Sequence, residues 1–261
     1  MELSRPWRAV GHLALLILCL SVAAPVAVTL STAFKPMNEV FQPHLIPGAP
    51  TLENFATLFG KANFAAYVWH SAATTVLRVS GQLLFALLAA YAFARFEFRG
   101  RDLAFALVLG AMMIPNLLTM IPIYILIARL GWFDTWAALV IPNLAMPFAV
   151  FLLRQHMLSF PRDLLDAAEM DGAGPWRALW LVVVPNVTPA LSALTIILFV
   201  DCWNEYFWPL LVTETPASRT LQMGLREFLE SDGYSDYGAM MAGVTLASIP
   251  AVAVFLFFQR R

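Results

Sequence analysis

Long apolar runs separated by short polar segments make up most of this chain. Each run has about the 20 residues that a helix needs to cross a bilayer. Six such runs can be traced, starting near Val10, Val68, Leu103, Trp136, Asn186 and Gly238. The pattern predicts an all-α, polytopic membrane protein with about six transmembrane helices.

The composition supports a membrane protein. Of the 261 residues, 60% are hydrophobic and only 13% are charged, with a mean hydropathy of +0.72. A soluble domain of this length would need more charge to cover its surface. The first apolar run, Val10 to about Ala33, is longer than the core of a signal peptide, so we interpret it as a retained anchor. Cys19 and Cys202 both lie in apolar runs, which argues against a disulfide framework.

Lysine and arginine residues in the connections indicate the orientation. If the N-terminus is cytoplasmic, ten of the 16 basic residues lie inside, five lie outside, and Arg78 lies within a span. This excess predicts an inner-membrane protein with both termini in the cytoplasm. The chain then divides into a cytoplasmic N-terminus (1–9), a transmembrane domain (10–258) with a cytoplasmic loop at about 154–185, and a cytoplasmic C-terminus (259–261).

Helix-capping and helix-breaking residues predict details of the spans and connections. Thr51 is placed to cap a short amphipathic helix in the first outside connection. Pro115 and Pro122 predict a kink or break near the outer end of the third span.

The cytoplasmic loop predicts two short helices. Ser159 is placed to cap the first helix, and Pro161 suits its first turn. Residues 164–170 contain no helix breaker, and Gly172 is a natural left-handed terminator. Pro175 then starts the second helix.

The first loop helix has two distinct faces, one with small and apolar side chains and one with acidic side chains. Leu164, Ala167, Ala168 and Asp171 share one face, where the small alanines allow close approach to a groove on a partner. Asp166 and Glu169 lie on another face, available to basic groups of that partner. The alternative is an amphipathic linker lying on lipid headgroups, although acidic charge suits anionic lipid poorly.

The loop carries a recognisable sequence pattern. Asp166-Ala167-Ala168, Gly172, Pro185 and Pro189 resemble the EAA motif of ATP-binding-cassette (ABC) importer permeases. The details are similar to the carbohydrate type, specifically the second membrane subunit of the maltose/glycerol-phosphate-like class. Further similar segments are residues 91–100, 141–142 and 203–210. The resemblance extends from about residue 55 to residue 261.

The resemblance implies a transport subunit that is not itself an enzyme. Such a permease forms a translocation pathway with a second permease, binds two cytoplasmic ATP-binding subunits that hydrolyse ATP, and works with an extracytoplasmic solute-binding protein. Its substrate would be a sugar, an oligosaccharide or a polyol derivative such as glycerol phosphate. The coupling-helix contacts to the ATPase would be Asp166, Ala167, Ala168, Glu169, Asp171 and Gly172.

The chain departs from the family pattern in two places. Asp166 stands where the family usually has Glu, which is one methylene longer. Family members usually continue beyond the last span into a tail, whereas this sequence ends at Arg261. Whether such a tail is dispensable or missing is left open.

The fifth span contains charged and aromatic residues at membrane depth. A carboxylate within a membrane span is energetically unfavourable and marks a candidate functional site, so Asp201 is a candidate pathway residue. Trp203 and Tyr206 could stack on sugar faces, while Asn204 and Glu205 could bind hydroxyl groups. In the alternative interpretation the aromatic residues form an interfacial belt, and Asp201 or Glu205 pairs with Arg78 or Asn116. We expect Arg78 to face the pathway or pair with Asp201 rather than touch lipid.

Several other functions lack their motifs. The sequence has no phosphate-binding glycine-rich loop, no hydrolase motif, and no basic patch with interleaved aromatic residues for nucleic acid. Its four histidines are isolated, so we expect neither a metal site nor a cofactor. One rival remains: an ion-coupled secondary transporter, in which Asp201 and Arg78 would be coupling charges. A third possibility, an intramembrane enzyme, would require a nucleophile–base pair or a metal-binding group of residues, and the sequence shows neither.

Overall fold

The computed structural model describes residues 5–61, 63–159, 162–230 and 236–260. Within these ranges the regular structure is helical. The helices are α1 (Arg5–Ala33), α2 (Glu53–Lys61), α3 (Phe64–Arg95), α4 (Arg101–Met112), α5 (Asn116–Leu130), α6 (Trp136–Val140), α7 (Pro147–Leu158), α8 (Arg162–Met170), α9 (Pro175–Ala178), α10 (Val184–Asn186), α11 (Thr188–Trp203), α12 (Phe207–Val212), α13 (Leu221–Glu230) and α14 (Tyr237–Phe258). The predictions for residues 1–4, for Phe160-Pro161 and for Arg261 lie outside the described residues.

The six predicted apolar runs are all helical, but only three of them are single unbroken helices among the described residues. These three are Val10–Ala33, Phe64–Arg95 and Tyr237–Phe258. The other three are helix pairs bent by 98°, 44° and 75°: α4 with α5, Trp136–Asn143 with α7, and Pro175–Asn186 with α11. If each bent pair is one span, the chain has up to six. The predicted fold class is confirmed, with the correction that half of its spans are broken.

Proline explains where these spans break. Pro115 precedes α5, Pro147 is the first residue of α7, and Pro189 lies in the first turn of α11. A proline has no N–H to donate to the preceding turn, so a helix readily ends just before it. The break in the third run occurs at Pro115, about halfway along rather than near its outer end. Pro122 lies inside α5 without interrupting it.

The described chain forms two compact units. One takes in the chain as far as Ala65 together with Gly224–Ile249, and the other takes in Ala66–Met223 and the chain from Pro250 onward. In the second unit, α3, α7 and α11 share a core that includes Ala86, Ala90, Leu153 and Leu194. The small side chains of Ala86 and Ala90 let neighbouring helices approach α3 closely, as is typical of helix packing in membranes.

In the first unit, Asn54 fixes the end of α1 to the start of α2. Its side-chain amide donates hydrogen bonds to the carbonyls of Ala33 (3.0 Å) and Lys35 (2.8 Å). A Cβ atom at Gly238 would overlap the Asn54 side chain, so glycine is required where α14 begins. Thr51 accepts a hydrogen bond from the Glu53 N–H at 3.1 Å, which confirms the predicted cap of a short helix.

In the second unit, Asp134 joins two connections that lie between helices. Its Oδ1 accepts hydrogen bonds from the N–H groups of Glu214 (2.7 Å) and Thr215 (3.0 Å) and from the Ser218 hydroxyl. Asp134 has φ +59°, a conformation that aspartate tolerates better than most residues. Desolvation alone would raise the pKa of Asp134. The hydrogen bonds from Ser218, Thr215 and Glu214 outweigh it and lower the pKa below its ordinary value of 3.8.

Asp134→Asn is expected to destabilise the folded protein. Asparagine also tolerates positive φ, so the change removes the charged acceptor while preserving the backbone. We expect a loss of about 1–3 kcal/mol at neutral pH, measured by thermal unfolding of the purified protein in detergent. Because the folded pKa of Asp134 is lowered, this contribution is present above pH 3.8 and is lost as pH falls through the folded pKa. The exposed Asp102, changed to Asn, is the control, and equal Tm values for D134N and D102N would contradict the prediction.

Candidate functional site

Helix α8 ends as the sequence predicts. The Gly172 N–H donates to the Glu169 carbonyl and the Ala173 N–H to the Ala168 carbonyl, both at 2.9 Å. These two bonds, with Gly172 at φ +78°, form a Schellman motif. A Cβ atom at Gly172 would meet no atom within 4 Å, so the glycine is required by the backbone conformation rather than by space within this chain. Ser159 ends α7, and its hydroxyl donates to the His156 carbonyl.

The outward face of α8 differs from the predicted one by two residues. Leu164, Ala167 and Asp171 are exposed, as expected. Ala168 is half-buried instead, on the side of Leu165, which packs against the core. Met170 was missed by the sequence reasoning and is 89% exposed. It lies three residues after Ala167, so helical spacing was the available signal.

The acidic residues of α8 meet an arginine of the same chain. Arg95, at the end of α3, contacts Glu169 with an Nη2–Oε1 distance of 2.5 Å and Asp166 with an Nη2–Oδ1 distance of 3.9 Å. The sequence reasoning assigned both acids to a partner and did not anticipate Arg95. Both carboxylates are still more than half exposed, so they remain accessible from outside.

The second loop helix starts at Pro175, as predicted, and then changes its hydrogen-bonding pattern. A π-helical turn, Leu179–Val183, follows α9 and leads into α10. The Tyr91 hydroxyl donates to the Pro175 carbonyl at 3.1 Å and so attaches the start of this helix to α3. Single π turns inside helices are frequent at functional sites.

The second candidate site surrounds Arg78 on α3. Its side chain is only 8% exposed, and its Nη1 donates to Glu205 while its Nη2 lies 3.8 Å from Asp201 Oδ2. The predicted pairing with Asp201 is present, but Glu205 is the closer partner. Asp201 lies in the last turns of α11, and Glu205 lies in the break between α11 and α12. One guanidinium therefore holds both an end of α11 and the break that follows it.

Hydroxyl groups extend this charged site along α3. Ser71, Thr74 and Thr75 precede Arg78 at helical spacing, and all three are buried. Together with Glu205 and other residues they line a cavity of about 20 Å³. The sequence reasoning missed this polar stripe, although its spacing on an otherwise apolar helix was a readable signal.

Two tryptophans near the break after α11 are buried. Trp203 is only 3% exposed and stacks on Phe199, with ring centroids 5.6 Å apart. Trp208 is equally buried, and its indole N–H donates to the Ala138 carbonyl at 2.9 Å. The prediction that Trp203 offers its ring to a sugar is therefore wrong for this conformation, because core packing covers it.

Two predicted residues remain at the break. Asn204 is exposed, and its amide donates to the Val200 carbonyl at 3.0 Å. Tyr206 is half-buried. Within the described residues, no group of three or more His, Cys, Asp or Glu side chains is placed to hold a metal ion. The chemistry available here is ion pairing and hydrogen bonding.

Comparison with known proteins identifies the class. Residues 82–261 match the family described as "Binding-protein-dependent transport system inner membrane component". AraQ, an arabinooligosaccharides transport system permease protein of Halalkalibacterium halodurans, is 34% identical over 237 residues, which cover 87% of this chain and 83% of AraQ. UgpE, an sn-glycerol-3-phosphate transport system permease protein of Brucella abortus, is 31% identical over 261 residues, covering 96% and 93%. NgcG, a diacetylchitobiose uptake system permease protein of Streptomyces coelicolor, is 30% identical, covering 98% and 86%.

Solved structures show the same fold. A chain of a bacterial ABC transporter involved in the import of the acidic polysaccharide alginate superposes with a TM-score of 0.88 at 24% identity, covering 100% of this chain and 99% of that chain. A bacterial alginate ABC transporter in complex with an alginate pentasaccharide-bound periplasmic protein gives a TM-score of 0.67 at 14% identity, covering 97% and 93%.

The fold and the family match together define a membrane component of an ABC transporter. The chain belongs to the family of binding-protein-dependent transport system inner membrane components. The resemblance noted in the sequence is thereby confirmed, and the chain is a transport component rather than an enzyme. Family membership also sets aside the ion-coupled carrier.

Arg78 and Glu205 are expected to be energetically coupled. Arg78→Gln leaves Glu205 without its cation, and Glu205→Gln leaves the buried guanidinium with the more distant Asp201. Each single change should cost about 1–3 kcal/mol, and the double change should cost less than the two together because the coupling is of similar size. Thermal unfolding in lipid nanodiscs measures this cycle. Asp201→Asn is the control with the smaller expected effect, and additive single-variant costs would contradict the prediction.

Proposed function

We propose that this chain is the second permease subunit of an ABC importer for a neutral carbohydrate, a sugar or a short oligosaccharide. The observation that carries the proposal is α8, a glycine-terminated helix that presents an exposed face of small and apolar side chains outside the long apolar helices. A helix of this kind fits a groove on a soluble partner. The sugar-class relatives AraQ and NgcG support the carbohydrate assignment.

The coupling contact is assigned to α8 and the turn after it. Leu164, Ala167, Met170 and Asp171 form the exposed face, and Gly172 sets the direction in which the chain leaves the helix. Asp166 and Glu169 remain accessible beside this face, while Ala168 supports it from the half-buried side. An ATP-binding subunit that accepts this face would move α8 when it binds and releases ATP.

The translocation pathway is assigned to the region around Arg78. Asp201, Asn204, Glu205 and Tyr206 lie near or at the break after α11, with Trp203 as a packing residue beneath them. Two carboxylates against one guanidinium leave this region with a formal charge of −1. Such a charge disfavours an anionic substrate and favours neutral, hydroxyl-rich ligands that accept and donate hydrogen bonds.

The complete transporter is assigned the composition that the family resemblance implies. It would contain a second permease, two cytoplasmic ATP-binding subunits and an extracytoplasmic solute-binding protein docking on the connections after α1 and after α12. The basic residues of the connections support cytoplasmic termini (1–9 and 259–261) on either side of a transmembrane domain (10–258). Most of the Val10–Ala33 span is exposed, with only Thr32 and Ala33 at its end buried, so the apolar side chains of the rest are available to lipid and to the second permease.

Gly172→Val tests the coupling contact. Valine disfavours positive φ, so we expect Gly172→Val to disrupt the turn and abolish co-purification of the ATP-binding subunit with the permease. Gly172→Asn tolerates the same conformation and should retain most of the complex. Gly131→Val is the matched control, because Gly131 has φ +66° and the same open surroundings but lies in a turn that the proposal places on the opposite side. Normal recovery of the ATPase with G172V would refute the assignment of α8.

The substrate class is tested by ligand-stimulated ATP hydrolysis. The complete transporter, reconstituted in proteoliposomes with its solute-binding protein, is assayed with neutral disaccharides and trisaccharides and with glycerol 3-phosphate. We expect stimulation by a neutral saccharide and none by glycerol 3-phosphate, because the −1 charge near Arg78 opposes a phosphate. The similarity to UgpE makes the glycerol-phosphate importer the second candidate. Stimulation by glycerol 3-phosphate alone would select that candidate.

A further inference from the structure

Helix α3 is a continuous rod with a charged contact at two points. It has 32 residues, contains no proline, and carries the ion-paired residues Arg78 and Arg95. These are 17 residues apart, which corresponds to about 25 Å along the helix. The three bent helix pairs are interrupted at or near a proline, whereas α3 is uninterrupted between its two charged contacts.

The cytoplasmic loop helix contacts α3 through ion pairs. Arg95 binds Glu169 at 2.5 Å and lies 3.9 Å from Asp166, one turn earlier on α8. Apolar packing on this side comes from Leu165, which contacts the core cluster shared with α3. Charge-assisted hydrogen bonds are stronger than neutral ones and orient their partners, so a displacement of Glu169 would act on the end of α3.

A cavity lies beside these contacts. It has a volume of about 260 Å³ and is lined by residues that include Tyr91, Arg95, Met157, Leu165, Val183 and Val187. Close-packed interiors resist displacement, whereas an open space of this size allows a neighbouring helix to tilt with little steric resistance. Leu165 therefore has room to move when α8 is pulled, while the Arg95 ion pairs keep the helix attached.

We propose that Arg95 is the positioning residue that transmits movement of α8 to the pathway. The ion pair with Glu169 passes the displacement of α8 to the end of α3. The unbroken helix carries it to Arg78, which holds Glu205 and Asp201 at the break after α11. This inference rests on the proposed function, because it takes α8 as the element that the ATP-binding subunit moves.

A purely structural role of Arg95 makes a different prediction. Both of its partners are more than half exposed, and ion pairs of that kind contribute little to stability. A transmitting role requires that loss of the ion pair leave folding and assembly intact while it removes the response of the pathway. Thermal stability and pathway movement therefore have to be measured on the same variants.

The experiment follows a spin label at the pathway break in response to nucleotide. Phe207→Cys, in a chain with Cys19→Ala and Cys202→Ala, carries a nitroxide on an exposed position at the start of α12. The complete transporter is reconstituted in nanodiscs, and label mobility is recorded with and without ATP and vanadate. No transport substrate is needed. The variants are Arg95→Gln, the charge exchange Arg95→Glu with Glu169→Arg, and Arg101→Gln, an arginine that lines the same cavity and contacts Asp102.

We expect Arg95→Gln to assemble with the ATP-binding subunits and to unfold at the parent temperature. Its nucleotide-dependent mobility change should fall about fivefold or more. The charge exchange should restore most of the change, and Arg101→Gln should leave it intact. A full response with R95Q would overturn the proposal, and so would a charge exchange as impaired as R95Q. If the parent chain neither binds the ATP-binding subunits nor responds to nucleotide, the proposed function itself fails, a result distinct from either of these.

Discussion

Backbone hydrogen bonding in an apolar surrounding is the constraint on which the rest of this structure depends. A bilayer offers no water to an unpaired N–H or carbonyl group, so each interruption of a helix must be satisfied by the protein. This chain interrupts three of its six apolar runs, and side chains and alternative turns serve the exposed backbone groups. At the break in the third run the N–H groups of Met113 and Ile114 donate to the carbonyls of Gly110 and Ala111, and at the break in the fourth the Gln82 amide donates to the Asn143 carbonyl. Hydrogen bonds from the protein itself therefore satisfy backbone groups where these helices are interrupted.

The same constraint places the two charged sites. Arg78 is buried among apolar helices, where an unpaired guanidinium is very costly, so Glu205 and Asp201 must accompany it. Glu205 can reach Arg78 because α11 ends before it, and the break is therefore what completes the ion pair. At the other end of α3, Arg95 contacts the acids of α8, whose carboxylates are more than half exposed and so stay hydrated. One helix thus carries a buried ion pair at Arg78 and a more exposed ion pair at Arg95.

Local rules of sequence recovered much of this architecture. The six runs follow from length and apolarity, the end of α8 follows from Gly172, and the start of the next helix follows from Pro175. The pairing of Arg78 was predictable because it is the sole basic residue inside an apolar run. Other contacts between distant segments were not recoverable. Arg95 and Glu169 are 74 residues apart in sequence, and nothing local distinguishes Arg95 from Arg99 or Arg101.

The errors have a physical reason of the same kind. Trp203 was assigned to ligand binding because tryptophan, asparagine and glutamate occur together, but a tryptophan ring equally favours burial against Phe199. Which of the two it adopts is decided by the direction in which α11 ends. Likewise the proline positions predict that a span is interrupted, while the bends of 98°, 44° and 75° arise from packing against the rest of the unit.

The geometry at Asp134 restricts which residues can replace it during evolution. The position demands a residue that tolerates φ +59° and also carries a short side chain with an acceptor oxygen. Glycine meets the first demand, serine and glutamate meet parts of the second, and only aspartate and asparagine meet both. The residues that fit the backbone and the hydrogen bonds at this site are therefore limited to aspartate and asparagine, of which only aspartate is a charged acceptor.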